Sequence, residues 1–252
     1  MSGHPILVTA HAGCMGTRPN SEASFRAAFR SPADIIEADL RLSADGTVVL
    51  AHDEALPLPA KGGDPRSARV AELDWWGDRA AFAAQGIMDL EAFLDLAAAL
   101  DEERRAQGKS PGTLNLDMKD PGAVAPALKA LRRRGAASRV ILSGLYPEDL
   151  GEVRILSPDV PFLLNAERLA ARGGEDMFAI AERFGCAGIN LEWRLAFPGT
   201  MEEARRRGLP VYLWTVDEEA AMAAVVASSP ASITTNFPEI LARVIRRERG
   251  ER

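Results

Sequence analysis

The chain has 252 residues, of which 47% are hydrophobic and 26% are charged, so a single α/β barrel and two smaller domains are both compatible with its size. The formal net charge is −6 and the pI is near 5.3, which argues against a general attraction to nucleic acid or to anionic lipid. This balance favours a soluble enzyme.

No segment of the sequence indicates export or membrane insertion. The apolar stretch at residues 6–10 is too short for the hydrophobic region of a signal peptide and lacks a basic segment before it. No run approaches the roughly 18 apolar residues of a membrane span. Cys14 and Cys186 lie far apart, without the spacing of metal ligands. We therefore expect a cytoplasmic protein without stable membrane insertion.

Short β-rich runs alternate with longer helical patterns along almost the whole chain. The predicted strands are residues 6–10, 35–40, 47–51, 113–118, 139–142, 161–164, 188–191, 210–214 and 232–234. The predicted helices are residues 22–30, 90–105, 123–134, 147–156, 177–184, 201–207, 218–227 and 238–249. This rhythm predicts an α/β fold of eight βα units, a (β/α)8 TIM barrel, in one domain over residues 1–252. Nine strands are one more than a barrel of eight needs. The extra strand, one of the two runs at residues 35–40 and 47–51, is either an appended partner of a barrel strand or a wrong assignment.

Residues 57–86 interrupt the rhythm with several prolines and glycines, followed by Trp75 and Trp76. We interpret this segment as an insertion after the second βα region. Because active sites of such barrels lie at the carboxyl ends of the strands, the insertion is placed to form a lid or a wall of a substrate site. The alternative is a solvated connection whose tryptophans plug the end of the barrel.

Three carboxylates follow or end predicted strands. Glu37 and Asp39 are two residues apart and so share one face of a strand, where two charges at about 4 Å repel by roughly 4 kcal/mol at an effective dielectric near 20. Asp117 and Lys119 occupy the same kind of position on another strand. Three oxygen donors from two strands suit one divalent cation, Mg²⁺ or Ca²⁺, better than zinc. The alternatives are a solvated acidic edge that pairs with Arg41 and an internal Asp117–Lys119 ion pair.

Two of the three histidines directly follow apolar strands. His11 and His52 bracket the acidic pair in the sequence, and histidine is the side chain that titrates near neutral pH. A histidine at a strand end is often a hydrogen-bonded core or rim residue. Together with the carboxylates, the two histidines predict a general acid and a general base beside a metal, which is chemistry suited to phosphoester cleavage.

Several ordered motifs are similar to those of the glycerophosphodiester phosphodiesterase family. The similarity extends over nearly the whole chain. The motifs are Thr9-Ala10-His11-Ala12-Gly13, Asn20-Ser21 before Phe25, Ile36-Glu37-Ala38-Asp39-Leu40-Arg41, His52-Asp53-Glu54, Leu114-Asn115-Leu116-Asp117-Met118-Lys119, Leu209-Pro210-Val211-Tyr212-Leu213-Trp214-Thr215-Val216 and Ile233-Thr234-Thr235-Asn236-Phe237-Pro238.

The resemblance implies a TIM barrel, a divalent cation held by Glu37, Asp39 and Asp117, and a general acid/base pair formed by His11 and His52. The chain departs from the family pattern at three places. Ala12 replaces the usual arginine, Pro19 replaces the glutamate of a Glu-Asn-Thr run, and Asp117 replaces the usual glutamate. The first change removes a guanidinium that would clamp phosphate.

The expected substrate is a small-molecule phosphodiester, cleaved to an alcohol and a glycerol phosphate. Lys119 would face the phosphate, Arg18 would replace part of the lost positive charge, and Glu192 and Trp214 would contact the glycerol or head group. Arg18 facing solvent and Trp214 packing in the core are the alternatives. Oligomeric state is left open.

Three other functions are compatible with the same residues. A hydroxyl of the substrate itself, acting as nucleophile, would make the protein a lyase that forms a cyclic phosphate. A metal-dependent barrel acting on a sugar or keto acid would use similar carboxylates. A barrel that binds a phosphorylated ligand with little turnover would fit the missing arginine.

Overall fold

The fold is described by a computed structural model that covers residues 5–61, 64–172 and 176–250. Gly62 and Gly63 of the expected insertion lie outside these described residues. The strands are β1 (Leu7–Ala10), β2 (Ile35–Leu42), β3 (Val48–Leu50), β4 (Ala55–Lys61), β5 (Asp64–Arg69), β6 (Thr113–Met118), β7 (Val140–Leu145), β8 (Phe162–Asn165), β9 (Gly188–Glu192), β10 (Val211–Trp214) and β11 (Ser232–Thr235). The α-helices are α1 (Glu22–Arg30), α2 (Arg79–Ala84), α3 (Leu90–Ala106), α4 (Val124–Arg133), α5 (Leu150–Leu156), α6 (Glu167–Arg172), α7 (Met177–Phe184), α8 (Pro198–Arg207), α9 (Glu219–Ala227) and α10 (Pro238–Arg249).

Parallel strands close into a barrel within the described ranges. Their order is β1-β11-β10-β9-β8-β7-β6-β2, and β1 pairs with β2 to complete the ring. Helices lie between successive barrel strands, so the predicted (β/α)8 TIM barrel is confirmed. The predicted strand in excess of the eight barrel strands is β3, which pairs antiparallel with β2 and is therefore an appended partner.

Alternation of side chains along the strands sets the two layers of the core. In β6, Leu114 and Leu116 are fully buried in the main apolar cluster, which includes residues of the surrounding helices. Asn115 and Asp117 therefore project from the opposite face of the strand, into the barrel. The same alternation turns Glu37 and Asp39 of β2 inward, so polar groups are concentrated inside the barrel near the ends of its strands.

Local sequence signals explain where several helices begin. The Ser21 hydroxyl accepts a hydrogen bond from the Ser24 N–H at 3.2 Å and caps α1. Asp89 caps α3 in the same way through the Ala92 N–H, and Pro238 occupies the first turn of α10. The predicted start of α5 at residue 147 is wrong.

A turn replaces the first residues of that predicted helix. The Tyr146 N–H donates to the Asp149 carboxylate at 2.9 Å, and the Asp149 N–H donates back to the Tyr146 carbonyl at 2.9 Å. Because these groups are engaged with one another, α5 begins only at Leu150.

The segment after His52 has secondary structure of its own. Strands β4 and β5 form an antiparallel hairpin, and α2 follows a short 3-10 turn. Trp75 is buried against Phe82, with ring centroids 5.0 Å apart, while Trp76 is 75% exposed. A second apolar cluster thus forms beside the barrel core, made of Val49, Ala51, Leu56, Val70, Leu73, Trp75, Ala81 and Phe82.

Candidate active site

A cavity of about 300 Å³ lies where the barrel strands end. Its lining brings together six of the side chains selected from the sequence. It is lined by His11, Glu37, His52, Asn115, Asp117, Lys119, Ser143, Asn190, Trp214, Thr215 and Thr234. Residues of β2, β6, β7, β9, β10 and β11 therefore converge at one rim with His11, which follows β1, as expected for the carboxyl-terminal face of a TIM barrel.

The three predicted metal-binding carboxylates form one buried cluster. Glu37, Asp39 and Asp117 each offer an oxygen, and these oxygens lie within 4.8 Å of one another. Strand pairing explains this proximity, because Asp39 of β2 is the direct neighbour of Asp117 on β6. Glu37 is 5% exposed and Asp39 is 1% exposed, so water screens their repulsion poorly.

Among the described residues, Lys119 is the cationic side chain that forms ion pairs with this cluster. Its Nζ lies 2.5 Å from Asp117 Oδ2 and 3.1 Å from Asp39 Oδ1. The contact with Asp39 lacks hydrogen-bond geometry, so this buried Oδ1 has no hydrogen-bond partner. The Ser143 hydroxyl donates to the other oxygen of Asp117 at 2.6 Å. The Asp117–Lys119 ion pair expected as an alternative is present, but it also includes Asp39.

Asparagine and backbone donors hold the remaining carboxylate oxygens. Asn20 contacts Asp39 twice: its Nδ2 donates to Asp39 Oδ2 at 2.7 Å, and its Oδ1 accepts from the Asp39 N–H at 3.0 Å. The N–H of Ala12 donates to Glu37 Oε2 at 2.7 Å. These hydrogen bonds orient the carboxylates before any ligand binds.

Burial and neighbouring charges shift the pKa values of this cluster in different directions. Burial raises the pKa of the Glu37 carboxyl, and the carboxylates of Asp39 and Asp117 raise it further. Burial also acts upward on Asp39, but the Lys119 ammonium and the Asn20 amide outweigh it, and the pKa of Asp39 is lowered. Burial alone would lower the pKa of Lys119, yet Asp117 and Asp39 raise it on balance.

The donor set suits a hard divalent cation. Three carboxylates face a single ammonium, which leaves an excess of negative charge in a buried site. Asp39 Oδ1 is buried without a hydrogen-bond donor, and so is Oδ1 of Asn115, the direct neighbour of Glu37 on the adjacent strand. Oxygen atoms of this kind are the ligands that Mg²⁺ and Ca²⁺ prefer.

The Nδ1 side of the His11 imidazole is contacted by a residue that follows β11, which is bonded in turn to a residue that follows β10. Its Nδ1 lies 2.9 Å from Asn236 Oδ1. Asn236 is held in turn by Asp217, whose Oδ2 accepts from the Asn236 side chain at 2.8 Å. Sequence reasoning missed Asp217 and gave Asn236 no role. The available signal was their position just after two strands, where barrel residues converge.

His52 occupies a more open position at the same cavity. Its side chain is 55% exposed, and its Nδ1 lies 2.9 Å from the Asp53 carboxylate. The Arg41 guanidinium donates to the His52 carbonyl from Nε at 3.1 Å and from Nη2 at 2.8 Å. Arg41 thus holds the backbone of His52, and within the described residues it forms no ion pair with the acidic cluster.

The predicted substrate residues differ in where they lie. Trp214 lines the cavity, and its buried Nε1 has no hydrogen-bond partner. Glu192 is not among the lining residues; it caps a short 3-10 turn and pairs with the Arg194 guanidinium at 2.8 Å. Only Trp214 of these two is therefore placed for contact with a ligand in the cavity.

The structure does not support the expectation that Arg18 supplies positive charge to a phosphate. Arg18 is exposed and absent from the cavity lining. Its guanidinium donates to the Ala84 carbonyl and to the Gln85 side chain at the end of α2. Because a long side chain can reach several neighbours, its position in the sequence did not reveal this contact with the insertion.

A model of the Glycerophosphoryl diester phosphodiesterase family matches residues 11–240. The chain belongs to this family. The match includes both histidines and all three clustered carboxylates, and it confirms the family resemblance found in the motifs. The family's phosphoric diester hydrolase chemistry agrees with the enzyme class predicted from the sequence.

Known relatives match the chain over almost its full length. It is 26% identical over 249 residues to the glycerophosphodiester phosphodiesterase of Caldanaerobacter subterraneus subsp. tengcongensis, covering 96% of this chain and 98% of that one. A putative glycerophosphoryl diester phosphodiesterase from Silicibacter pomeroyi has a similar structure, with a TM-score of 0.81, 20% identity and coverage of 99% and 96%.

A third similar protein was solved with a ligand. An Oleispira antarctica phosphodiesterase, in complex with the product sn-glycerol-3-phosphate, has a TM-score of 0.78 and 18% identity over 95% of this chain and 96% of that chain. At these identities the two solved structures support the fold alone.

Two departures from the glycerophosphodiester phosphodiesterase pattern have visible structural settings. Ala12 is buried, and only its backbone N–H reaches the carboxylate cluster. Pro19 precedes Asn20, the residue that holds Asp39.

None of the helices in the described residues combines the length and the apolar character that a membrane crossing requires.

Proposed function

We propose that the protein is a metal-dependent phosphodiesterase that cleaves a glycerophosphodiester-like substrate to an alcohol and a glycerol phosphate. One observation carries this proposal: a single cavity is lined by His11, His52 and Lys119 beside the buried cluster of three carboxylates. A phosphodiester needs charge neutralisation at its oxygens and proton transfer at both its nucleophile and its leaving group. This cavity offers groups for each task.

Glu37, Asp39 and Asp117 would hold one divalent cation, Mg²⁺ or Ca²⁺. When bound, the cation would polarise the phosphodiester oxygens and offset their negative charge. Lys119 would then turn from its present carboxylate partners toward a substrate phosphate oxygen, a role that its place in the cavity lining supports.

The two histidines would move the protons. The Nδ1 atoms of His11 and His52 are both occupied, by Asn236 and Asp53, so Nε2 is the nitrogen available to each for proton transfer. One imidazole would take a proton from water as its oxygen forms a bond to phosphorus. The other imidazolium would give a proton to the leaving alkoxide as the P–O bond breaks.

We also propose that residues 1–252 form one TIM-barrel domain, with residues 57–86 as a wall or lid over the substrate. The insertion begins shortly after His52 and carries its own apolar core around Trp75, so it has a defined shape next to the more exposed of the two histidines. Trp214 would supply an apolar wall for the glycerol or head group. The cytoplasmic location stays a prediction.

Single alanine substitutions of the histidines test the reaction. We expect His11→Ala and His52→Ala each to lower kcat on glycerophosphoethanolamine by about 100-fold or more, with a bell-shaped pH profile for the unaltered enzyme. Glu54→Gln, an exposed neighbour of His52, is the control and should retain turnover. Normal turnover in both histidine variants would contradict the mechanism.

Metal removal and product analysis complete the test. A chelator should abolish turnover, and Mg²⁺ or Ca²⁺ should restore it. Phosphorus NMR of the first product should show a phosphate monoester, because water is the proposed nucleophile. A cyclic phosphate as first product would show instead that a substrate hydroxyl attacks.

A further inference from the structure

The side chains behind His11 form a chain of hydrogen bonds that leads away from the cavity. Asp217 Oδ1 accepts from the Asn236 N–H at 2.8 Å and from the Thr235 hydroxyl at 3.1 Å. Asp217 Oδ2 accepts from Asn236 Nδ2 at 2.8 Å. Asn236 Oδ1 then lies 2.9 Å from His11 Nδ1. Asp217 thus holds Asn236, the residue beside His11 Nδ1, by two hydrogen bonds and the preceding Thr235 by a third.

The chemistry of these groups fixes which way the Asn236 amide points. An ionised carboxylate only accepts hydrogen bonds, so the atom of Asn236 that faces Asp217 must be the Nδ2 donor. The Thr235 hydroxyl accepts from the Phe237 N–H at 3.0 Å and therefore directs its own proton to Asp217. Asn236 is left with its carbonyl oxygen, an acceptor, toward His11.

An acceptor at this place decides the tautomer of His11. A neutral imidazole carries its proton on one nitrogen only, and the partner of that nitrogen selects which one. We infer that Asp217, acting through Asn236, keeps the proton of neutral His11 on Nδ1 and leaves the Nε2 lone pair for the cavity. Asp217 and Asn236 are thereby positioning residues for His11. The inference rests on the proposed catalytic role of His11 for its effect on turnover, but not for the tautomer itself.

The two histidines differ in this respect. The Nδ1 partner of His52 is Asp53, whose side chain is 80% exposed. Asn236 is partly buried and is held at both its backbone and its side chain. The titratable and charged groups that share the cavity with His11 are Glu37, His52, Asp117 and Lys119. They lie on the cavity side, whereas Asn236 contacts Nδ1 from the strand ends.

Asp217→Asn gives the sharpest test, because it should invert the arrangement. The new amide at position 217 must keep its oxygen toward the Asn236 backbone N–H, which is a fixed donor. Its NH₂ group then faces the Asn236 side chain, where a second donor is not tolerated. The Asn236 amide should therefore flip and present its own NH₂ to His11. Nδ1 becomes an acceptor, and the proton of neutral His11 moves to Nε2.

Imidazole ¹⁵N NMR reads the tautomer directly. The chain has three histidines, so His11→Ala identifies the His11 signals by their loss. In ¹⁵N-labelled full-length protein with Mg²⁺, at a pH where the imidazole is neutral, we expect a protonated Nδ1 in the unaltered enzyme and a protonated Nε2 in Asp217→Asn. Asp53→Asn is the matched control beside the other histidine and should leave the His11 signals unchanged.

Kinetics should change with the tautomer. In Asp217→Asn we expect kcat to fall about 100-fold, the lower range for loss of a general acid or base, while KM changes less than about threefold because Asp217 does not line the cavity. The exchanged pair Asp217→Asn/Asn236→Asp again places an acceptor toward His11. It should restore the Nδ1–H form and recover at least ten-fold in kcat.

Two further outcomes keep the inference open to refutation. Asn236→Leu removes the acceptor altogether, and His11 should then lose its preference for the Nδ1–H form even if Asp217→Asn folds poorly. If His11 keeps a protonated Nδ1 in both variants, Asp217 and Asn236 have only a structural role. If the tautomer changes but His11→Ala retains full turnover, the tautomer inference stands and the proposed mechanism fails.

Discussion

Replacing Glu37 by glutamine should make the metal-free protein more stable while weakening its stabilisation by metal. Glu37 is buried beside two other carboxylates, and its pKa is raised by burial first and by those charges second. The folded state therefore prefers the protonated form of this group. Its contribution to stability is fully present below the unfolded pKa, about 4.3 for glutamate, and is lost as the pH rises through the raised folded pKa.

The geometry sets the size of the effect. At the outer limit of 4.8 Å between ligand oxygens, one pair of charges repels by about 3.5 kcal/mol at an effective dielectric of 20. Glu37 has two such neighbours, and the attraction of Lys119 offsets roughly one of them. Glutamine keeps an oxygen that accepts from the Ala12 N–H. About one such repulsion remains after these offsets, so we expect a gain of about 3 kcal/mol at pH 8, or roughly 6–12 °C in Tm for a domain of this size.

Thermal unfolding with and without a cation separates the two effects. Without metal, the Tm difference between Glu37→Gln and the unaltered protein should be small at pH 5 and grow toward pH 8. Saturating Mg²⁺ or Ca²⁺ should raise the Tm of the unaltered protein, and raise that of the variant much less. A variant that is less stable than the unaltered protein at pH 8 in a chelator would refute this reasoning about the carboxylate cluster.

Three other substitutions probe separate contacts. Asn20→Ala should lower the affinity for Mg²⁺ or Ca²⁺ by about 10- to 100-fold in calorimetric titration, because Oδ2 of Asp39 loses its hydrogen-bond donor. Asp101→Ala should cost roughly 3 kcal/mol in urea unfolding, since it leaves the Arg139 guanidinium without its buried partner; an unchanged urea midpoint would show that water replaces Asp101. Arg18→Ala should keep kcat/KM within about twofold, because Arg18 contacts the insertion and not the cavity; a hundredfold loss would return Arg18 to phosphate binding.

The barrel was predictable because its strands and helices carry strong local patterns. Strand β6 has the predicted bounds, Thr113–Met118, because leucines alternate with polar residues inside a short apolar run. Helices α1, α7 and α10 also have their predicted bounds, each with a capping residue or a proline at its start. In such segments the local sequence and the final packing agree.

The hairpin of β4 and β5 was missed for a physical reason. Prolines at positions 57, 59 and 65 argue against a strand, because proline lacks the N–H that a central strand donates. In a two-stranded hairpin, however, each strand has one free edge, and proline is tolerated there. The apolar residues that support the hairpin, including Trp75 and Phe82, come later in the chain, after the strands themselves.

The site residues also divide into those that local sequence reveals and those that only distant contacts bring together. His11, Asp117 and Lys119 were found because each stands at or just after the end of an apolar strand, and Glu37 because it shares a strand face with Asp39. Asp217 is 19 residues from Asn236, and only the pairing of two strands brings them together. A sequence without its three-dimensional contacts does not give the direction of a long side chain either, which is why the contact of Arg18 with the end of α2 was not predicted.

The separate apolar core of the hairpin segment has an evolutionary consequence. Trp75 and Phe82 belong to an apolar cluster that is separate from the main core and meets the barrel through Val49 and Ala51, so residues of the hairpin that do not touch these two can change while the barrel that orients the acids keeps its packing. In the proposed function, selection can thereby change which molecules enter beside His52 independently of the proposed catalytic histidines and of the carboxylate cluster.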